Sequence, residues 1–304
     1  MKDTIVLYPA LGSGHLMSMV ELGKLIVTHH PSFSITILIL TPPNKNTNNK
    51  DISLSPQEHY IASVSATFPS INFHYIPPIS LPTKLLTHFI TFEISPESNH
   101  HVDNILQSIS KTTNLKVIIL YFFTYSAYQI TRKLEISTYF YYTLGAIALA
   151  IFLYFSTLHQ NAKKHDYPDE LDSESDELKI LLEYAKTMTK SVGITVNTFD
   201  AIEGKTLESL NNGLFVPNGT TPTIFSIRPL ITSSYGGDEN GCLRWLDLQP
   251  SKSVVLLNFG SIGIFSKTQL KEIALGLEKS EQILLWIVRS ELDSKELNLE
   301  DLLP

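Results

Sequence analysis

The chain has 304 residues, of which 43% are hydrophobic and 17% charged. That is apolar material for a large core and too little charge for wholesale disorder. Its 23 Lys+Arg against 30 Asp+Glu leave a formal charge of −7, which excludes the basic footprint of a nucleic-acid binder. The single cysteine, Cys242, excludes an internal disulfide framework and a multi-cysteine zinc site, and points to a reducing, cytoplasmic setting.

Met1-Lys2-Asp3 leads directly into the apolar, β-branched run Thr4 to Tyr8, with no signal-peptide pattern. The loop Pro9 to Gly14 follows, and then Leu16, Met19, Val20, Leu22, Leu25 and Ile26 recur at helical spacing over His15 to His29. Ser34 to Thr41 is a nearly continuous apolar run and is closed by Pro42-Pro43. Strand, loop, helix and strand make a βαβ unit, and continuous strand hydrophobicity implies a parallel sheet covered on both faces.

Beyond the polar loop Asn44 to Lys50, a helix is predicted over Pro56 to Ser65 and a strand over Ile71 to Ile76. A further helix is predicted over Asn99 to Ser110, with Val102, Ile105, Leu106 and Ile109 on one face. Lys116 to Phe122 reads as a fourth strand, Ser126 to Leu134 as a helix and Thr138 to Tyr142 as a fifth strand, with an apolar helix over Ile147 to His159. The most apolar stretch, Tyr139 to Phe155, is roughly 17 residues against the ~20 of a membrane span. It is interrupted by Thr143 and Gly145, so core strand and helix are expected, without stable membrane insertion. This alternation predicts a doubly wound α/β domain.

Pro168 to Glu177 is acidic and reads as a solvated loop, followed by a helix over Glu177 to Thr189 and a strand over Gly193 to Asn197. Pro222, Pro229 and Gly236-Gly237 mark Thr220 to Asp238 as the best stretch for an interdomain linker. A helical turn over Cys242 to Leu246, a buried strand over Ser253 to Asn258, a helix over Ser266 to Lys279 and a strand over Gln282 to Val288 then open a second domain. Roughly 60 residues of it precede Pro304, fewer than such a sheet needs. The expected division is 1–230 for the first domain, 231–243 for the linker and 244–304 for the start of the second.

The turn Gly12-Ser13-Gly14-His15 lies where ligands meet the carboxyl edge of a doubly wound sheet. Its glycines permit close backbone approach, and His15 would present an imidazole able to take a proton near neutral pH. A tight turn with a surface histidine is the plain alternative. A nicotinamide fingerprint is disfavoured, because Met17 stands for its third glycine and Leu40-Thr41-Pro42 for its acidic strand end. Asn258-Phe259-Gly260-Ser261 is a second glycine turn after a strand, whose amides and Ser261 hydroxyl could hold a diphosphate. Two such turns, one at the first junction of each domain, are what a cleft between facing domains requires. The pairs His29-His30 and His100-His101 lack metal-ligand spacing, adjacent helical residues being expected to point apart. The serines form no G-x-S-x-G elbow.

Taken in order, Ile5 to Pro9, Gly14-His15-Leu16, Met19 to Lys24, Tyr139 to Thr143, Val196 to Phe199, Trp245-Leu246-Asp247, Leu270 to Lys279 and Leu285 to Arg289 resemble the family 1 plant UDP-glycosyltransferases. The similarity is greatest to the branch that glucosylates isoflavones, chalcones and related flavonoids. The resemblance covers nearly the whole chain. It implies a GT-B fold, two Rossmann-like domains, here with the second incomplete. It also implies inverting, metal-independent transfer of a hexose from a UDP-sugar co-substrate to a phenolic acceptor, without a cofactor. It places His15 as general base, Thr143 at the sugar, and Gly260 and Ser261 at the UDP portion.

The same resemblance marks departures. Tyr121 stands where the family has the aspartate that orients and charges the histidine. The family's long donor-binding signature falls beyond Pro304. The stretch Lys163 to Glu177 is shorter than in relatives, Arg228 replaces a glycine, and Asn258 replaces a small residue. A degenerate relative that only binds phenols is therefore the alternative expectation.

Overall fold

Four successive residues of one strand, Ile37 to Leu40, are buried, which requires cover on both faces of the sheet. This strand, β2 (Ser34–Leu40), pairs in parallel with β1 (Asp3–Tyr8) and β3 (Ile71–Ile76). The computed structural model describes residues 2–41, 56–79, 90–164, 176–217, 219–227, 230, 241–260 and 265–288. The chain divides into two compact units, Met1–Ser233 and Ser234–Pro304.

In the first unit, β4 (Asn114–Tyr121), β5 (Ser137–Tyr142), β6 (Gly193–Asn197) and β7 (Thr223–Ile227) extend the sheet from the other side of β1. The order is β3-β2-β1-β4-β5-β6-β7, and every pairing is parallel. The chain thus winds outward twice from β1, and the strand order reverses between β1 and β4. At such a reversal the connections leave in opposite directions and open a crevice at the carboxyl edge.

Helices α1 (Ser13–His29), α2 (Pro56–Thr67), α3 (Ile90–Glu97), α4 (Asn99–Thr112), α5 (Tyr128–Lys133), α6 (Ala146–Lys164), α7 (Asp176–Met188) and α8 (Asp200–Asn211) connect the strands. Val102, Ile105 and Leu106 of α4 are buried, as their spacing predicts, with Ile109 packed at the edge of the core. Glu21 of α1 is buried but not alone. Lys24 Nζ lies 2.7 Å from its Oε1, and the Tyr60 hydroxyl donates to the same oxygen at 3.0 Å, which satisfies a charge that would otherwise be costly inside the fold.

Several expectations change. The helix expected over Ser126 to Leu134 is preceded by a tight 3-10 segment, Phe122–Ala127, before α5 begins. Part of the stretch read as linker, Thr223–Ile227, is the edge strand β7, because alternate residues such as Ile224 can still bury while Phe225 faces out. Residues 231–240 of the expected linker lie outside the described residues, as do most of the acidic loop 168–177, the polar loop 44–50 and Arg228. Helices α3 and α8 were not anticipated. The rings of His100 and His101 do not diverge but lie 3.7 Å apart between centroids. The apolar stretch Tyr139 to Phe155 divides between β5 and α6, and no helix among the described residues is long and apolar enough to cross a membrane.

Two side chains fasten the carboxyl edge. The buried Thr124 hydroxyl lies 3.1 Å from the Tyr8 carbonyl and 2.9 Å from that of Tyr121, joining the ends of β1 and β4. Glu203 of α8 accepts from the amides of Ala146 at 2.8 Å and Ile147 at 3.0 Å, capping the first turn of α6 from a distant segment. A Cβ on Gly145 would come within 2.7 Å of the same carboxylate, so only glycine leaves room for this clamp.

The second unit contains α9 (Cys242–Asp247), β8 (Val254–Asn258), α10 (Lys267–Glu278) and β9 (Ile283–Ile287). β8 and β9 pair in parallel, and α10 starts with a reciprocal capping box between Ser266 and Gln269. The two tryptophans of the chain lie here, Trp245 on α9 and Trp286 on β9. β8 was expected to be buried and is not. Val255 is 45% and Leu256 59% exposed, since Leu270 and Ala274 of α10 are the buried apolar residues this unit supplies among those described.

Burial opposes ionisation of Glu203, but hydrogen bonds from Thr198, Ile147 and Ala146 outweigh it and hold the carboxyl below its ordinary range. Its folded pKa is depressed, so its contribution is present above the ordinary carboxylate range and lost as pH falls through the folded value. Glu203→Ala is expected to cost about 1 kcal/mol at neutral pH, roughly 2–4 °C in Tm, with the deficit disappearing in strong acid. Thermal melts of both proteins across pH check this. Apolar strand surface such as that of Val255 and Leu256 favours association. Leu256→Lys is expected to lower the mass measured by light scattering, and a monomeric parent would refute the argument.

Candidate functional site

The crevice at the strand reversal is built from three junctions. Gly12 forms the N-cap of α1 at φ 121°, a left-handed-side conformation that side chains resist. A Cβ there would also press to 3.3 Å on the His15 ring. Gly12, Ser13 and Gly14 are exposed and His15 is half-buried, so the turn delivers the imidazole to the edge without enclosing it.

Tyr121, the last residue of β4, is buried and approaches His15 from the neighbouring strand end. Its hydroxyl lies 2.8 Å from His15 Nδ1 and 2.6 Å from Oγ1 of Thr143, which follows β5. The structure thus brings together His15, Tyr121 and Thr143, from positions 106 and 22 residues apart. The edge of Phe123 faces the imidazole at 5.8 Å between centroids. Nε2 of His15 makes no hydrogen bond among the described residues.

Behind Tyr121 stands an aromatic block. Phe122 stacks 4.9 Å from it and lies 4.8 Å from Tyr142, while Tyr184 of α7 contacts Phe122, Tyr125 and Phe152. Tyr141 meets Tyr121 edge-on at 6.0 Å. These rings hold Tyr121 in place from the side away from the crevice, and each such pair adds a fraction of a kcal/mol to about 1.5 kcal/mol beyond its burial.

The electrostatics follow from the same packing. Burial pushes the Tyr121 hydroxyl up to about 12, against a smaller opposing effect of its bond to Thr143. Burial also lowers His15 below its ordinary value, and the positive end of α1 works in the same direction. A neutral imidazole beside a neutral phenol results. No cluster of three metal-ligating side chains occurs among the described residues.

The second predicted turn lies in the other unit. Gly260 adopts φ 75°, and its amide donates to Asn258 Oδ1 at 2.9 Å. Asn258 therefore has a turn-forming part in the place where a small residue was expected. Ser261 lies outside the described residues.

Sequence reasoning missed Thr124, Phe123 and Glu203. The first two sit beside Tyr121 in a Phe-Phe-Thr run that reads as ordinary strand end. Glu203 acts on amides 56 and 57 residues away, which leaves no local signal.

No family model matches the chain. Over the full length of the chain it is 48% identical to UDP-glycosyltransferase 1 of Pueraria montana var. lobata and 46% identical to isoflavone 7-O-glucosyltransferase 1 of Glycine max, and it spans 70% of each. Among solved structures it is similar to Phytolacca americana UGT2 complexed with UDP-2fluoro-glucose and pterostilbene, with a TM-score of 0.77 and 27% identity. That likeness covers 95% of this chain and 66% of the other. The fold is GT-B, with its first Rossmann-like domain mostly present and the beginning of its second. With such identity along its entire length, the chain belongs to the plant UDP-glycosyltransferases.

Proposed function

We propose that the protein transfers a hexose, glucose in the first instance, from a UDP-sugar to a hydroxyl of a flavonoid-like phenol, with inversion and without a metal ion or cofactor. The observation that carries the proposal is the half-buried imidazole of His15, held through Nδ1 by Tyr121 at the strand-reversal crevice with Nε2 unengaged among the described residues. The names of the relatives support the substrate class: one is an isoflavone 7-O-glucosyltransferase, and the complex of the Phytolacca protein contains UDP-2fluoro-glucose and pterostilbene.

In this reading the phenol gives its proton to His15 Nε2. Its oxygen forms a bond to the anomeric carbon as the bond from that carbon to the UDP oxygen breaks, and UDP leaves with the electron pair. The leaving group is a good one, so the protein contributes position, proton removal and charge stabilisation. The same proposal assigns Thr143 to the sugar and, by the resemblance alone, Gly260 and Ser261 to the UDP portion. The exposed thiol of Cys242 suits a reducing, cytoplasmic location.

The test is hexose-adduct formation from UDP-glucose and a flavonoid panel, followed by mass spectrometry. His15→Ala is expected to reduce turnover about 10²–10⁴-fold, and EDTA to leave it unchanged. Because burial lowers the pKa of His15, the acid limb of kcat/KM is expected below pH 6.5, where activity falls as Nε2 becomes protonated. Tyr121→Asp supplies a charge for the imidazolium and is expected to raise kcat on the order of 10- to 10²-fold, less than the serine-protease precedent because a phenol ionises readily.

A second reading has one observation in its favour. Tyr121, held neutral with a pKa of about 12, cannot stabilise an imidazolium as a carboxylate does. A degenerate relative would bind the phenols and form no adduct, and binding measured on the same panel separates the two.

A further inference from the structure

We propose that Tyr121 is a reversible hydrogen-bond relay that decides which nitrogen of His15 carries the proton, and that Thr143 sets its direction. The proposal rests on the reading of His15 as the base and adds a positioning role for the two hydroxyls in front of it.

The argument is one of counting donors. The Tyr121 oxygen touches His15 Nδ1 at 2.8 Å and Thr143 Oγ1 at 2.6 Å, yet a phenol has one proton to give and must accept in its other bond. Two arrangements satisfy both contacts and also give the buried phenol proton an acceptor. In one, Thr143 donates to Tyr121 and Tyr121 donates to Nδ1, so the ring proton sits on Nε2 and no lone pair faces the crevice. In the other, Nδ1–H donates to Tyr121 and Tyr121 donates to Thr143, which leaves Nε2 with its lone pair.

A carboxylate at this position would only accept and would fix Nδ1–H permanently. A buried phenol fixes nothing by itself. Burial keeps alternative partners away, because Tyr121 is 2% exposed and enclosed by Phe122 and Tyr141. The free choice is passed to Thr143, whose side chain is partly exposed at the crevice. An occupant that accepts a hydrogen bond from the Thr143 hydroxyl turns that proton outward. Thr143 then accepts from Tyr121, Tyr121 accepts from Nδ1–H, and the base-competent tautomer is selected. An occupant that donates to Thr143 selects the opposite form. The chain of hydroxyls thus couples the kind of ligand at Thr143 to the readiness of Nε2 to take a proton.

The test reads the tautomer and does not need turnover. The intact chain is labelled with ¹⁵N-histidine, and two-bond ¹H–¹⁵N correlations are recorded well above the pKa of His15. Its signals are identified by their loss in His15→Ala. Thr143→Val removes the acceptor for the Tyr121 proton and is expected to shift the ring toward Nε2–H by about threefold to tenfold. Thr143→Ser should restore the parent ratio, and Tyr121→Asp should give Nδ1–H with either Thr143 or Val at position 143. If Thr143→Val does not fold, Thr143→Ala asks the same question with less bulk. An unchanged ratio in the Thr143 variant, or a Tyr121→Asp protein that still responds to it, overturns the relay. Glycoside formation with an unchanged ratio would leave the transferase reading standing and sink the relay. The expected shifts in a chain that makes no glycoside would do the reverse.

Discussion

The Thr124 hydroxyl bound to the carbonyls of Tyr8 and Tyr121 sits at the point on which the site depends. The connections that follow β1 and β4 leave in opposite directions along the sheet, while the two strands stay paired up to Tyr8 and Leu120. The one proton of this threonine in the 3-10 segment is within reach of both carbonyls, and the contact ties the turn that carries His15 to the strand end that carries Tyr121. The short histidine–phenol distance is made across that tie.

From there the site is a matter of which polar group ends β4. A carboxylate would place a charge beside the imidazole and lock it. The phenol of Tyr121 places none, and its ring is large enough to be gripped by Phe122, Tyr141 and the stack behind them. Charge stabilisation is exchanged for packing. That packing makes the partner of His15 a rigid, well-ordered hydrogen-bonding group.

Much of the first unit is legible in the sequence because its strands are runs of consecutive apolar residues and its helices show clear spacing, as in β2 and α4. The turn at Gly12 to His15 is legible for a related reason, since glycines between strand and helix mark a sheet edge. What is not legible comes from distance or from context. The Glu203 clamp joins segments far apart in sequence, and nothing near Ala146 announces it. Strand β7 is hidden by prolines and glycines around it that read as linker. In β8 the pattern alone suggests a buried strand, yet a strand is buried only as far as other elements cover it, and α10 covers little of it among the described residues. The meeting of His15, Tyr121 and Thr143 lies between these cases. The resemblance implies a functional position for each residue, but the hydroxyl chain that joins them is defined only by the packing.

The placement of the aromatic residues gives the molecule two separate optical signatures. The block around the site consists of tyrosine and phenylalanine, whereas Trp245 and Trp286 both belong to the second unit. Indole emission excited at the red edge therefore reports on the second unit alone, and phenol absorbance is weighted toward the first. Unfolding of the two units can be followed independently in one sample, with no label and no engineered probe.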